Sequence, residues 1–242
     1  MVIPNKSILK FLLVIFVFFE SSLFSQISVE QIIDKHLKAS GFENAEVDLQ
    51  KFKIEGVLVQ NKLFFPLVIQ GVLPYKFRMD LTYNNQAYIK ISNGNYSWDY
   101  NPSLDSISSV LNQNQESQNF IDRLTGGLYN FKSGILKAGF LGEVSIDGIE
   151  LYKLEILIDK LVRIYYIDKL SFLIVRIDDD VKENKITYYN DYRKVGNYYI
   201  PFNLTGFEGG ISTIGMQFKT ININPDIADE LFDKPARQNL TK

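Results

Sequence analysis

The chain has 242 residues, 46% of them hydrophobic and 14% aromatic, with a net charge of −2 and no cysteine. That length suits one good-sized domain held by its core alone, and the lack of cysteine excludes disulfides, a thiol nucleophile, a Cys-ligated zinc and a lipid anchor on an amino-terminal Cys. A near-neutral charge with scattered basic residues offers no surface suited to nucleic acid or to strong attraction by an anionic membrane.

Residues 1–25 read as an address rather than as fold. Lys6 and Lys10 precede the apolar run 11–19, and the small residues Ser21, Ser22 and Ser25 follow. A basic region, a short apolar core and a small-residue end describe a cleaved secretory signal, with cleavage expected between Ser25 and Gln26. The run is shorter than the roughly 20 residues a membrane-spanning helix needs. Removing this segment takes away Lys6, Lys10 and Glu20 and leaves 24 basic and 27 acidic residues. The mature region, 26–242, is expected to be an exported, soluble monomer.

Ser28 to Gln31 has the form of a capping box, in which Ser and Gln satisfy the first free amides of a helix. Val29, Ile32, Ile33 and Leu37 follow at helical spacing, and Gly41 is the expected C-cap. A short turn over 44–49 leads into strands at 52–60 and 64–72, joined by a two-residue hairpin at Asn61-Lys62. Pro66 cannot donate to a ladder, so it belongs near an end or on a free edge of its strand. The stretch 74–102 then alternates through three strands. Tyr75, Phe77, Met79, Leu81 and Tyr83 point one way, Asn84-Asn85 and Asn93-Gly94 supply turns, and Tyr96, Trp98 and Tyr100 put aromatics on one face.

Residues 103–137 break the pattern. They begin polar and then give Phe120, Ile121, Leu124, Leu128, Phe131, Ile135 and Leu136 at helical spacing, interrupted by Gly126-Gly127 and Gly134. Two short helices joined by glycines are expected, inserted midway through an otherwise all-β chain. Strands resume at 140–146, 151–158, 162–167 and 172–177, where Arg163 and Arg176 are expected to mark the outward face. Asp178 to Asp180 should lie in the following turn, a solvated loop without the spaced oxygen ligands of a calcium site. Strands at 186–192, 198–207 and 213–223 complete the set, and a short turn and loose tail should follow from 226.

The fold class is therefore mainly β (α+β): one domain with a single antiparallel sheet of roughly ten strands. A sheet of that size curls, and the helices can lie across its concave side over a hydrophobic cavity. The expected cavity lining, on a single face, is Tyr75, Phe77, Met79, Leu81, Tyr96, Trp98, Tyr100, Leu154, Ile156, Ile164 and Tyr166. The 103–137 insert is the expected lid, carried by Leu124, Leu128, Phe131 and Ile135. No chemistry is demanded. The one histidine, His36, has no second His or Cys to join it and reads as a structural residue on the first helix. No serine sits in a G-x-S-x-G elbow, and the glycines of 206–210 lack the lysine and helix of a phosphate loop. No catalytic residue, metal site or cofactor is expected.

Several segments together resemble a known family. The signal segment, the capped first helix, the P-x-x-F-R-M-D-x-T-Y strand, the N-G-x-x-S-W-D-Y-N-P hairpin and the later Y-Y-I-D, Y-Y-N-D-Y and Y-I-P-F segments are similar to outer membrane lipoprotein-sorting proteins. These are the LolA-like periplasmic carriers, in the form common in Bacteroidetes. The resemblance implies an unclosed antiparallel barrel, capped by helices, around a hydrophobic cavity. It implies that the chain accepts the acyl chains of a lipoprotein, or a related lipid, from an inner-membrane release complex and carries them across the periplasm to an outer-membrane acceptor. The same fold also implies an alternative, a lipid-sensing regulatory or interaction module of the envelope. The best-known carriers place an arginine, bonded to the lid, immediately before the proline that opens this strand; here that residue is Leu73. Either the lid closes by apolar contact alone, or the ligand is handled differently.

Overall fold

A computed structural model describes residues 27–44, 48–134, 136–158 and 161–236. The signal segment 1–25, part of the turn expected over 44–49, and Ile135 of the expected lid lie outside the described residues.

Among the described residues, thirteen antiparallel strands form one sheet. They are β1 (Lys51–Gln60), β2 (Leu63–Val72), β3 (Lys76–Tyr83), β4 (Gln86–Asn93), β5 (Tyr96–Asn101), β6 (Ser106–Leu111), β7 (Lys137–Ile146), β8 (Ile149–Ile158), β9 (Leu161–Asp168), β10 (Ile174–Asp180), β11 (Lys185–Val195), β12 (Tyr198–Glu208) and β13 (Ile211–Ile223). The order runs from β6 down to β1, then β13 down to β7, so the first and last strands pair in the middle while β6 and β7 are free edges. The sheet is an unclosed barrel. Its local cause is hairpin chemistry: Asn61-Lys62, Asn84-Asn85, Asp147-Gly148 and Gly209-Gly210 each hold both φ angles positive, the mirror-image turn whose twist suits paired strands. Pro66 pairs with Val57 on one side only, because the β2–β3 ladder starts at Leu67.

Strand β6 was not expected. Its sequence, SISSVL, is half serine and no residue of it is buried, so it carries no apolar alternation to read. The stretch 103–137 accordingly holds a strand, one α-helix and a 3₁₀ turn rather than two helices. Asp178 to Asp180 also lie within β10 rather than in a turn. The three carboxylates diverge: Asp178 meets Arg176 and Tyr166, Asp179 accepts from Thr187, and Asp180 accepts from the amides of Lys182 and Glu183.

Helix α1 (Val29–Ser40) has the expected capping box at Ser28 and Gln31 and ends at Gly41 with φ +82°. Its stripe of Ile32, Ile33 and Leu37 is fully buried, each such side chain contributing about 1.5–3 kcal/mol relative to exposure. Helix α2 (Glu116–Thr125) leads through Gly126-Gly127 into a 3₁₀ turn, Leu128–Ser133. Both helices share one apolar cluster with residues from β1, β2, β3, β8, β9, β12 and β13. One face of the sheet therefore wraps around the helices.

The expected single face divides in two. Residues opposite each other in an antiparallel ladder share a face, and each tight hairpin here pairs odd positions with even ones. Phe77 lies opposite Ser92, whereas Arg78 lies opposite Ile91, and Ile91 opposite Trp98. Phe77, Met79 and Leu81 thus face inward, while Trp98 and its same-face neighbours Tyr96 and Tyr100 face outward with Arg78. The same arithmetic separates Leu154, opposite Tyr165, from Ile164, opposite Glu155. Leu154 and Ile156 belong to the inner core; Ile164 and Tyr166 pack outside with Leu151. Tyr75 sits in the β2–β3 turn, 43% exposed. The outer Trp98–Ile91 patch is covered by the chain after β13. Ile227 and Phe232, the latter in the 3₁₀ turn Asp229–Phe232, bury against it, and Arg78 donates to the Leu231 carbonyl at 3.2 Å. The short turn expected after 226 is thus docked as far as Phe232.

A cavity beneath helix α2

Helix α2 crosses the concave face and is fastened at both ends. At its start, Ser117 Oγ donates to the carbonyls of Val72 (3.1 Å) and Lys76, and the Gln118 amide donates to the Pro74 carbonyl at 3.2 Å. At its end, the Tyr189 hydroxyl donates to the Arg123 carbonyl and the Tyr165 hydroxyl to the Gly126 carbonyl, both at 2.9 Å. These last two satisfy carbonyls that a helix C-terminus leaves without partners. Between the ends, Ile121 and Leu124 are buried and Phe120 stacks on Phe52 at 5.6 Å. The helix is therefore held to the sheet by polar as well as apolar contacts. Leu73 is half-buried against the core, and its amide bonds to the Gln50 carbonyl.

Gly126 is required where it stands. Its φ is +80°, and a Cβ there would lie 2.3 Å from Ile174 Cδ1. One turn earlier in the helix, Asp122 accepts hydrogen bonds from Gln118 and Tyr129. Burial holds the Asp122 carboxyl above its ordinary range despite these bonds, and raises the Tyr129 hydroxyl strongly.

Beneath α2 lies a cavity of about 450 Å³. Its lining changes along the strands. At the Tyr189–Leu204 rung it is apolar, with Leu124, Ile177, Met216 and Phe218 nearby; one rung on it meets Thr187 and Gly206, and then Lys185 and Glu208. Arg163 and Asp179 line the same polar end. Arg163 lies opposite Ile156 and so points inward, correcting the expectation that it marks the outer face; Arg176 does face outward, between the rings of Tyr166 and Tyr188. On the other side of α2 is a smaller cavity of about 200 Å³, lined by Leu49, Leu73, Pro74, Ile121 and Tyr129 among others.

Of the residues expected to form the lid, Leu124 lines the larger cavity, Leu128 is buried in the core and Phe131 packs half-buried against it. Phe77, Met79, Leu81, Leu154 and Ile156 share the concave core but do not border the larger cavity. Leu204, Met216 and Phe218, which do, were readable from the alternation of the last two strands. Arg163 and Asp179 carried no such signal.

His36 is buried, not on the helix surface, and its Nδ1 donates to the Phe172 carbonyl at 2.8 Å. Burial pushes its pKa down to about 4, against the opposing pull of that carbonyl. Among the described residues, no cluster of three or more His, Asp or Glu side chains could hold a metal ion, and no helix is long and apolar enough to cross a membrane.

No family model and no curated protein matches the chain. Solved structures do. A DUF1329 family protein from Desulfovibrio piger superposes with a TM-score of 0.57 at 13% identity, over 86% of this chain and 98% of that one. A LolA superfamily protein from Nitrosomonas europaea gives 0.55 at 12% identity, over 86% and 99%. A domain from Vibrio parahaemolyticus, described as an outer membrane lipoprotein-sorting protein, gives 0.52 at 10% identity, over 82% and 97%. At these identities the likeness is one of fold. The chain has the LolA-like fold, an unclosed antiparallel barrel with helices packed into its concavity.

Proposed function

We propose that this protein is an exported lipid carrier of the periplasm. It takes acyl chains of a lipoprotein, or of a related lipid, into the cavity beneath α2 and shuttles them toward the outer membrane. The observation that supports this reading is the cavity itself: an apolar hollow within a curled sheet, roofed by a helix that ends on a pair of glycines. Its volume of about 450 Å³ falls within the ~300–1,000 Å³ of ordinary ligand pockets. Each buried CH₂ is worth about 0.8 kcal/mol, so acyl chains would not cross water unaided, and a protein that shields them and later releases them solves that problem. A cargo with several chains needs more room than the closed cavity offers, and helix α2 with the 3₁₀ turn that follows it, acting as a lid, would supply it by swinging away. The role involves no catalytic step. An inner-membrane release complex would load the carrier and an outer-membrane acceptor would unload it. The likeness to proteins of the lipoprotein-sorting fold agrees with this reading.

The test is to purify the mature chain from the periplasm of its host, identify bound lipid by mass spectrometry, and ask whether the protein extracts a lipoprotein from inner membranes. Co-purified acylated cargo and extraction support the reading. A protein that carries no lipid and extracts none removes it. Loss of a signalling response on deletion, with lipoprotein sorting intact, would favour the sensor instead.

A further inference from the structure

We propose that the cavity beneath α2 selects amphiphiles with a single anionic headgroup, a carboxylate or a phosphate, which Arg163 and Arg123 hold while the acyl chain lies against Leu204, Met216 and Phe218. This rests on the lipid-carrier reading and adds the class and orientation of the ligand.

The argument begins with a cation on an apolar face. Arg163 stands on the inner side of β9, opposite the fully buried Ile156, and lines the cavity. Its Nε is buried and donates to nothing among the described residues. The nearest acid, Asp179, lies 3.7 Å from that Nε, beyond hydrogen-bonding distance, and accepts instead from Thr187 Oγ1 at 2.6 Å. A buried guanidinium donor without a partner is costly to keep unless something else supplies the acceptor.

The other charges point the same way. Lys185 and Glu208 face each other at 3.7 Å, and Asp122 is engaged by Gln118 and Tyr129. The acids at this end are thus occupied. Arg123, exposed at the rim, has no ion pair or side-chain hydrogen bond among the described residues. Arg163 thus pairs with Asp179 only loosely and keeps a buried Nε without a hydrogen bond, Arg123 is exposed at the rim of the same hollow, and the fork geometry of arginine matches carboxylate and phosphate oxygens. From that end the lining passes through Thr187 to Tyr189 and Leu204 within two rungs of the β11–β12 ladder, so a headgroup at Arg163 directs its chain inward.

The experiment measures binding of oleate, lysophosphatidate, methyl oleate and inorganic phosphate to the purified chain by calorimetry. Oleate or lysophosphatidate should bind at least about tenfold more tightly than methyl oleate, and the stronger of the two identifies which anion is preferred. Arg163→Gln should abolish that margin and leave methyl oleate unchanged. Thr187→Val, which frees Asp179 to pair with Arg163, should shrink the margin without removing any charge, and serves if the arginine variant fails to fold. Equal binding of oleate and methyl oleate by the native chain overturns the headgroup assignment and leaves the carrier reading standing. So does a margin that survives both variants. Binding of phosphate alone, with no gain from an acyl chain, overturns both, as does binding of none of the lipids.

Discussion

The Tyr165 hydroxyl donates to the Gly126 carbonyl at 2.9 Å, joining the floor of the sheet to the residue at which helix α2 ends. Burial raises this hydroxyl to about 12, so it remains a donor at every physiological pH. Tyr165→Phe leaves the ring packed and the Gly126 carbonyl without its partner. Urea unfolding should show a loss of about 1–3 kcal/mol; unchanged stability would mean the contact does not fasten the helix.

At the opposite end of α2, Ser117 is completely buried and bonds to two carbonyls around the β2–β3 turn. Ser117→Ala should loosen the helix more than the sheet. Amide exchange in Asn119–Leu124 is expected to quicken by roughly five- to tenfold, the equivalent of about 1 kcal/mol, with the β12–β13 amides unaffected. Uniform acceleration across the protein would instead place the effect on global stability.

Gly126 and Gly127 both hold positive φ, +80° and +69°, but an added Cβ meets Ile174 Cδ1 at 2.3 Å in the first case and nothing nearer than 3.5 Å in the second. Gly127→Ala should therefore cost only the backbone strain, about 1 kcal/mol. Gly126→Ala should cost that and a displaced Ile174, about 1–3 kcal/mol more. Equal melting temperatures for the two variants would contradict the packing.

His36 gives the molecule a pH dependence of predictable sign. Its folded pKa of about 4 lies below the unfolded value of about 6.5, so in that interval the unfolded chain binds the extra proton. Stability from this residue is complete above about pH 6.5, declines as the pH falls, and is lost by about pH 4, a total of about 3 kcal/mol. Unfolding free energies at pH 7, 5.5 and 4 should show the decline, and His36→Gln should flatten it.

Trp98 is the chain's one tryptophan and is 6% exposed beneath Phe232. Phe232→Ala should open that outer patch, shift the tryptophan emission to the red and destabilise the fold by about 3 kcal/mol. An unmoved spectrum would show that Ile227 and Leu231 cover the indole without it.

Much of this arrangement was legible in residue order. Asn84-Asn85 and Asp147-Gly148 mark hairpins because those side chains tolerate positive φ, and the Ser28–Gln31 box marks a helix start. What could not be read depends on register. Whether Trp98 shares a face with Phe77 is decided by the pairing across two successive turns, each of which exchanges odd for even positions, and alternation within one strand is silent about that. Arg163 misled for a related reason: arginine on a strand ordinarily faces water, and only its pairing with Ile156 turns it inward. The fastening of α2 by Ser117, Tyr165 and Tyr189 joins residues up to 66 positions apart, through contacts that no local pattern encodes.

The pairing of β1 with β13 at the centre of the sheet bears on how the molecule assembles. Every other ladder joins strands adjacent in the sequence, so each half can zip up as a meander at small loop-closure cost. The single closure that spans the chain is the one between Phe52 and Ile223, with its neighbours along the same ladder. Changes on that seam should slow folding, whereas changes in the outer hairpins should chiefly hasten unfolding.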